Sequence, residues 1–408
     1  MQSLNGVVKH YDWGAPEAIP NLLRVPDDGT PWAEYWLGTH PSGPASLADA
    51  DDPDEATLAG WLDSHHQAIS PAETVAFGPR LPFLLKLLAA EQPLSLQAHP
   101  NRADAQAGFA AEQAKGLPID DPTRNFKDDW PKPELLIAVT DFEALSGFRD
   151  PAKTLELFEA LGVDPEITSP TLGPLRYRAG AAALAEVFLD CLTLDGTRLA
   201  ILNHVLSAAV KHQDDDNQVG AFARLAISLD EHFPGDPSLL AALLLNQVRL
   251  SPGQGLYNRA GLVHSYLRGT GIEVMASSDN VLRAGLTSKH VDHAALASII
   301  SFEPGPAGVI DALPGPLGTV TDGPMSWRYP TDDAEFAIWR LEPSPLLGST
   351  TLPGADRARI VFVTDGHLVL SDGPDALEVL QGEAVFVGAD ETLEMTGDAM
   401  AFMASPGL

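Results

Sequence analysis

Apolar and polar positions alternate with a period of two over Leu94-Ser95-Leu96-Gln97-Ala98-His99-Pro100, the mark of a strand with one polar face. Ser95, Gln97 and His99 fall on one side; Leu94, Leu96 and Ala98 fall on the other. Just upstream, Leu81-Pro82-Phe83-Leu84-Leu85-Lys86-Leu87-Leu88 is an apolar run broken by one lysine. A lysine there is costly to bury unless an anion meets it. Two successive strands therefore set lysine, serine, glutamine and histidine on apolar backing, which is how a polar pocket is built inside a barrel.

The same patterning divides the rest of the chain. Ala33 to Gly38 reads as a short strand that carries one charge, Glu34, and runs into the turn Thr39-His40-Pro41-Ser42-Gly43-Pro44. Asp54 to Ser70 predicts a surface helix followed by a polar loop, and Asn101 to Lys115 a helix capped by Asn101 and closed at Gly116. Lys132-Pro133-Glu134 enters the apolar strand Leu135 to Val139 in extended geometry.

From about 151 to 250 the period becomes helical, over Thr154 to Leu161, Ala179 to Leu192, Leu199 to Lys211, Gln218 to Phe233 and Leu239 to Gln247. Strand patterning resumes over Gly253 to Leu267, followed by a predicted turn at Gly269-Thr270-Gly271 and the strand Ile272 to Met275. Ser277 to Lys289 reads as polar and irregular. A proline- and glycine-rich connection from Pro304 to Pro324 leads to short strands within Ala337 to Met403. Gly382 to Ala389 echoes Gly253 to Ala260, and in that register His264 falls opposite Leu393. The prediction is a mainly β chain: a catalytic barrel split between 1–150 and 251–325, an all-helical insert at 151–250, and a related β domain at 326–408.

The chain has 408 residues, enough for two or three domains. Its 56 acidic and 25 basic residues give a net charge of −31, which disfavours any role that depends on a nucleic-acid backbone. A local cluster of cations can still reverse the potential inside one pocket. Cys191 is the only cysteine, so there is no intrachain disulfide and no thiolate zinc site. Met1 to Lys9 has no apolar leader core, and no run approaches the length of a membrane span. The expectation is a cytoplasmic, monomeric enzyme that engages neither nucleic acid nor membrane.

Gln97, His99, Glu134 and His264 are four donors on or beside strands, and imidazole nitrogen with carboxylate and amide oxygen suits zinc or a neighbouring divalent metal. The competing explanation is hydrogen-bonded core histidines and a Lys132–Glu134 ion pair. Lys86, Ser95, Arg283 and Lys289 are candidates for an anion site, since phosphate favours Arg or Lys with a hydroxyl donor. Solvated surface charge explains Lys289 equally well, and Lys86 poorly.

The chain resembles the type I mannose-6-phosphate isomerases, a zinc-dependent family of cupin (jelly-roll) fold. The matching segments are Tyr11-Asp12-Trp13-Gly14, Gly38 to Gly43, Pro82 to Lys86, Leu94 to Asn101, Lys132-Pro133-Glu134 and Ala276 to Lys289. The resemblance implies two cupin-type barrels and one zinc per chain, held by Gln97, His99, Glu134 and His264. It also implies a catalytic role for Arg283 and a pocket lined by Trp13, Lys86, Ser95, Lys132, Tyr266, Glu273, Asp279 and Lys289. The implied reaction interconverts mannose 6-phosphate and fructose 6-phosphate through a cis-enediol, with Glu273 and Lys132 as candidate bases. The chain departs from the family where Trp130-Pro131 replaces a usual Asn-His, and Arg259 replaces a usual proline. The first change leaves open an isomerase of another or unphosphorylated aldose. A non-catalytic sugar-phosphate-binding cupin is the alternative of a different class; retention of all four presumed ligands and Arg283 weighs against it.

Overall fold

Two 13-residue strands, His264–Ala276 and Arg359–Ser371, each run through the middle of one large antiparallel sheet. The computed structural model describes residues 1–50, 52–178, 180–314 and 325–408; the 315–324 part of the proline- and glycine-rich connection lies outside them. The first sheet orders Val309–Ile310, Gly255–Asn258, Glu134–Ala138, His264–Ala276, Phe83–Ala90, Glu34–Gly38 and Val7–Lys9. The start of His264–Ala276 also pairs with Leu96–Ala98 and Phe142–Phe148, and these bring in Leu282–Gly285 and Leu245–Leu250. One strand thus joins both faces of the site.

The second sheet orders Leu313–Pro314, Ser326–Arg328, Ala337–Leu341, Glu394–Ser405, Arg359–Ser371, Ala384–Val387, Gln2–Asn5 and Ser46–Leu47. Gln2–Asn5 was expected with the first barrel, and instead it pairs with Ala384–Val387. Four residues carry no local signal for so distant a partner.

Period two decides what each face does. Phe83, Leu85 and Leu87 join Tyr35, Leu135, Ile137, Ile272 and Val274 in a core shared with Ile338, Ile360, Phe362, Phe386 and Phe402 of the second sheet. Each such side chain contributes about 1.5–3 kcal/mol on burial. The alternate positions, among them Lys86, face the other way, into the site.

Several expectations need correction. Gly269-Thr270-Gly271 is no turn; the strand runs straight through it. Gly269 has φ +127°, and a Cβ there would lie 2.7 Å from the Asp141 carbonyl, so the glycine admits a close backbone approach. Gly366, at φ +73°, likewise lies inside Arg359–Ser371, where a Cβ would meet the Asp398 carbonyl at 2.0 Å. Leu239 to Gln247 is helical only over Ser238–Ala242; Leu245–Leu250 is a strand on Phe142–Phe148. That stretch is almost wholly apolar at its start, so it carries no period to separate helix from strand. Leu282–Gly285, expected to be irregular, is a strand.

Other elements fall as predicted. Asn101 caps Arg102–Ala114 by accepting from the Asp104 N–H. Between residues 151 and 242 the described elements are all helical, and include Pro165–Leu172 and Pro174–Tyr177, which the sequence pattern did not reveal. Cys191 is buried in their core. Among the described residues no helix is long and apolar enough to cross a membrane.

Candidate metal centre and active site

His99 lies just past Leu96–Ala98, while Glu134 and His264 open their strands. Their donor atoms lie within 4.8 Å of one another, and all three side chains are buried. The His99 Nε2 is 3.3 Å from Glu134 Oε1, and the His264 Nε2 is 3.2 Å from Glu134 Oε2. That spacing suits donors that share a tetrahedral ion about 2.0–2.1 Å from each.

The hydrogen bonding fixes the tautomers. His99 Nδ1 donates to the Asn280 carbonyl at 2.8 Å, and His264 Nδ1 donates to the Leu262 carbonyl at 3.1 Å. A carbonyl only accepts, so each Nδ1 carries the proton and each Nε2 presents a lone pair. Both Nε2 atoms and Glu134 Oε2 are buried without a hydrogen-bond partner. Orphaned buried acceptors facing one another are costly, and a cation among them removes the cost.

Burial pushes the His99 imidazole down to about 4, so it is neutral near pH 7. Burial alone would raise Glu134, but the Lys132 ammonium, 3.1 Å away, opposes it, and the carboxylate lies well below its ordinary range. Gln97 is the cross-strand partner of His264, which places both on one face of the ladder. The donor set therefore fits zinc, with Gln97 beside it.

Next to this centre runs a buried polar chain. Lys86 Nζ lies 2.9 Å from Glu273 Oε2 and 3.5 Å from Glu34 Oε1, and the Trp36 indole donates to Glu34 Oε2 at 2.7 Å. Tyr266 donates to Glu273 Oε1 at 3.0 Å, Asn258 donates to the Tyr266 oxygen at 3.3 Å, and Ser146 donates to Asn258 at 2.9 Å. Tyr266 and Glu273 lie an odd number of residues apart on one strand and would normally face opposite ways. A register shift between Tyr266 and Arg268 reverses the alternation and turns both inward.

Burial disfavours the Lys86 charge, yet Glu273 and Glu34 more than compensate and raise its pKa. Burial raises the Glu273 carboxyl, against the pull of Lys86. Lys86 was expected among the anion-binding cations; here two carboxylates already meet its charge.

Arg283 sits opposite Gln97 on the next strand and is partly buried, which lowers its pKa, and no carboxylate pairs with it among the described residues. Lys289 is lowered by burial and by the neighbouring charges of Arg283 and Lys127. Three cations thus gather where Arg283 and Lys289 were expected; Lys127, in an irregular loop, gave no signal. Asp279 lies 3.5 Å from the Nε2 of His40. His40 Nδ1 accepts from the Ser42 N–H, so Nε2 carries the proton. This buried histidine was legible only as part of a turn. Ser95 is half-buried beside Leu96–Ala98, and Trp13 packs against the apolar cluster that contains Leu88, Leu136 and Tyr266. Trp130, one of the departures, is buried with its ring between the guanidinium groups of Arg80 and Arg102, at 3.9 and 4.4 Å.

A family model described as the catalytic domain of type I phosphomannose isomerase matches residues 1–151. The mannose-6-phosphate isomerase of Salmonella typhimurium is 36% identical over 396 residues, and that of Escherichia coli 34% over 405, each alignment covering 96% of both chains. A solved mannose 6-phosphate isomerase with zinc bound superimposes with a TM-score of 0.88 at 32% identity, covering 100% of this chain and 99% of that one. At this likeness over nearly its full length, the chain belongs to the type I mannose-6-phosphate isomerase family.

Proposed function

We propose that the chain is a zinc-dependent aldose–ketose isomerase that interconverts mannose 6-phosphate and fructose 6-phosphate. The observation that carries this reading is the set of three orphaned, buried donors of His99, Glu134 and His264, set beside the Lys86–Glu273 ion pair. Both sheets are read as cupin-type barrels, with the helices of residues 151–250 as an insert in the first and residues 326–408 forming most of the second. One zinc per chain is held by His99, Glu134, His264 and Gln97. A monomer in the cytoplasm is the expected form; its single, buried cysteine fits that setting.

Zinc bound there supplies Lewis-acid polarisation of the open-chain sugar's carbonyl. Opening the ring requires a proton to leave the C1 hydroxyl and another to reach the ring oxygen. Isomerisation then takes the proton from C2, returns it to C1 through a cis-enediol, and shifts a hydroxyl proton from O2 to O1. Glu273 is the leading candidate for the C2 proton, because burial raises its carboxyl towards the working pH while Lys86 keeps it ionised. Tyr266 holds the other carboxylate oxygen in place. Lys132, on Glu134, is the candidate for exchange of the hydroxyl protons. Arg283, Lys289 and Lys127, with the Ser95 hydroxyl, form the phosphate-facing side, since cations without carboxylate partners attract a dianion. Asp279 and Trp13 line the sugar.

The test is a coupled isomerase assay with mannose 6-phosphate beside free mannose, before and after chelation. Turnover of the phosphorylated sugar alone, lost on chelation and restored by zinc, is the expected result. Equal turnover of free mannose would remove the phosphate role of Arg283 and Lys289. Tight binding without turnover would make the chain a sensor.

A further inference from the structure

The segment from Lys127 to Lys132 has neither helix nor strand, yet it places Lys127 near Lys289 and Lys132 on Glu134. With no ladder of its own, its backbone, buried from Trp130 to Lys132, takes its partners from elsewhere. Asn280 provides them. This fully buried side chain accepts from the N–H groups of Lys127 at 2.7 Å and Asp128 at 3.2 Å. Its amide nitrogen donates to the carbonyls of Asp128 at 2.9 Å and Trp130 at 2.8 Å, and to the Asp128 carboxylate at 3.1 Å.

The carbonyl of the same residue accepts the Nδ1–H of His99 at 2.8 Å. Asp128 answers from the loop: it accepts the Ser278 hydroxyl at 2.8 Å and the Asp279 N–H at 2.9 Å, which holds the backbone around Asn280 in place. An aspartate at position 280 would lose the donations and set a second carboxylate against Asp128.

We propose that Asn280 is a positioning residue that couples the two halves of the active site. Its main chain sets the ring of a metal ligand, and its side chain sets the loop carrying Lys127 and Lys132. Zinc affinity and sugar-phosphate affinity then depend on one brace. The proposal rests on the zinc-isomerase reading and extends it to a residue that touches neither substrate nor metal.

The experiment compares full-length wild type with Asn280→Asp, Asp128→Asn and the double variant. Zinc affinity is read by competition with a chromogenic chelator, and KM and kcat for mannose 6-phosphate at saturating zinc. Asn280→Asp keeps the carbonyl that holds the His99 ring but loosens the backbone that carries it, so zinc affinity falls by up to about 10–100-fold, the range for loss of a ligand's supporting partner. KM rises roughly tenfold, with a smaller change in kcat, as lost positioning of the binding groups requires. The double variant, relieved of carboxylate repulsion, lies closer to wild type than Asn280→Asp in both zinc affinity and KM, as two residues in direct contact require; a merely structural role would lower stability and leave both readouts of the folded variants unmoved.

Zinc affinity and KM both within about twofold of wild type, or only one of them changed, would overturn the proposal. If Asn280→Asp does not fold, Asp128→Asn decides by the same two readouts. Wild type that neither binds zinc nor turns over mannose 6-phosphate would instead sink the isomerase reading.

Discussion

The two sheets share a local plan and differ in what they line with it. Gly253 and Gly382 both have φ +87°, each precedes a four-residue strand, Gly255–Asn258 or Ala384–Val387, and each sheet contains a long strand that a bulge bends. In the second sheet the face away from the shared core is closed by Met325, Trp339, Leu341, Val361, Val363, Leu368, Val385 and Met403. In the first, the corresponding face carries His99, Glu134, His264, Glu34, Lys86, Glu273 and Tyr266. Leu393, aligned with His264, is 1% exposed within the apolar cluster. One plan serves as a stable core when filled with hydrocarbon, and as a reaction chamber when filled with paired charges that cost stability.

Making the first sheet resemble the second is the severest test. His264→Leu is expected to abolish zinc binding and to lower kcat/KM at least about 1,000-fold, while the metal-free variant melts no lower than the metal-free parent. Metal analysis, assay and thermal melts read all three. A lower melting temperature for the metal-free variant would mean that His264 is chiefly structural.

Glu273→Gln removes the candidate base and leaves Lys86 with Glu34 alone. Turnover is expected to fall about 100- to 10,000-fold, with a stability loss of roughly 3–5 kcal/mol as a buried ion pair is broken. Steady-state kinetics and denaturant unfolding separate the two effects. A loss of stability with kcat retained would move the base to Lys132.

The converse change belongs in the second sheet. Leu393→Ala should cost about 2–5 kcal/mol by opening a cavity, with zinc content and kcat unchanged below the melting range. Loss of zinc there would show that the sheets are not separable in this way.

Much of this contrast is legible from residues alone. Lys86, His99 and Glu134 stand out because each interrupts or borders an apolar strand, and Glu34 does so for the same reason. What joins them is not legible. Lys86 meets Glu273 only through the pairing of Phe83–Ala90 with His264–Ala276, and Glu273 faces inward only because of a bulge. Gly269 reads as part of a turn because the pattern shows φ freedom and not the neighbouring backbone that demands it. Asn280 looks like loop polarity until its partners across the site are in place.

The smallest effect lies at the seam between the sheets. Tyr257, of the first, donates to Asp333, in the connection between Ser326–Arg328 and Ala337–Leu341 of the second, and burial pushes that carboxyl up to about 6 from an ordinary 3.8. The folded protein binds this proton more tightly than the unfolded chain. The contribution is therefore complete below about pH 4 and is lost as pH rises through about 6. Unfolding followed from pH 4 to 7 should show this fall in wild type, and Asp333→Asn should flatten it. The same slope in both proteins would mean that the seam does not titrate.

The central claim is that the polar face of the first sheet is a zinc-dependent isomerase centre. Titrating zinc into metal-free protein while following mannose 6-phosphate turnover tests it directly. The account predicts activity that rises linearly from near zero and breaks at one zinc per chain. Full activity before any zinc is added, or a titration without a break, would contradict it.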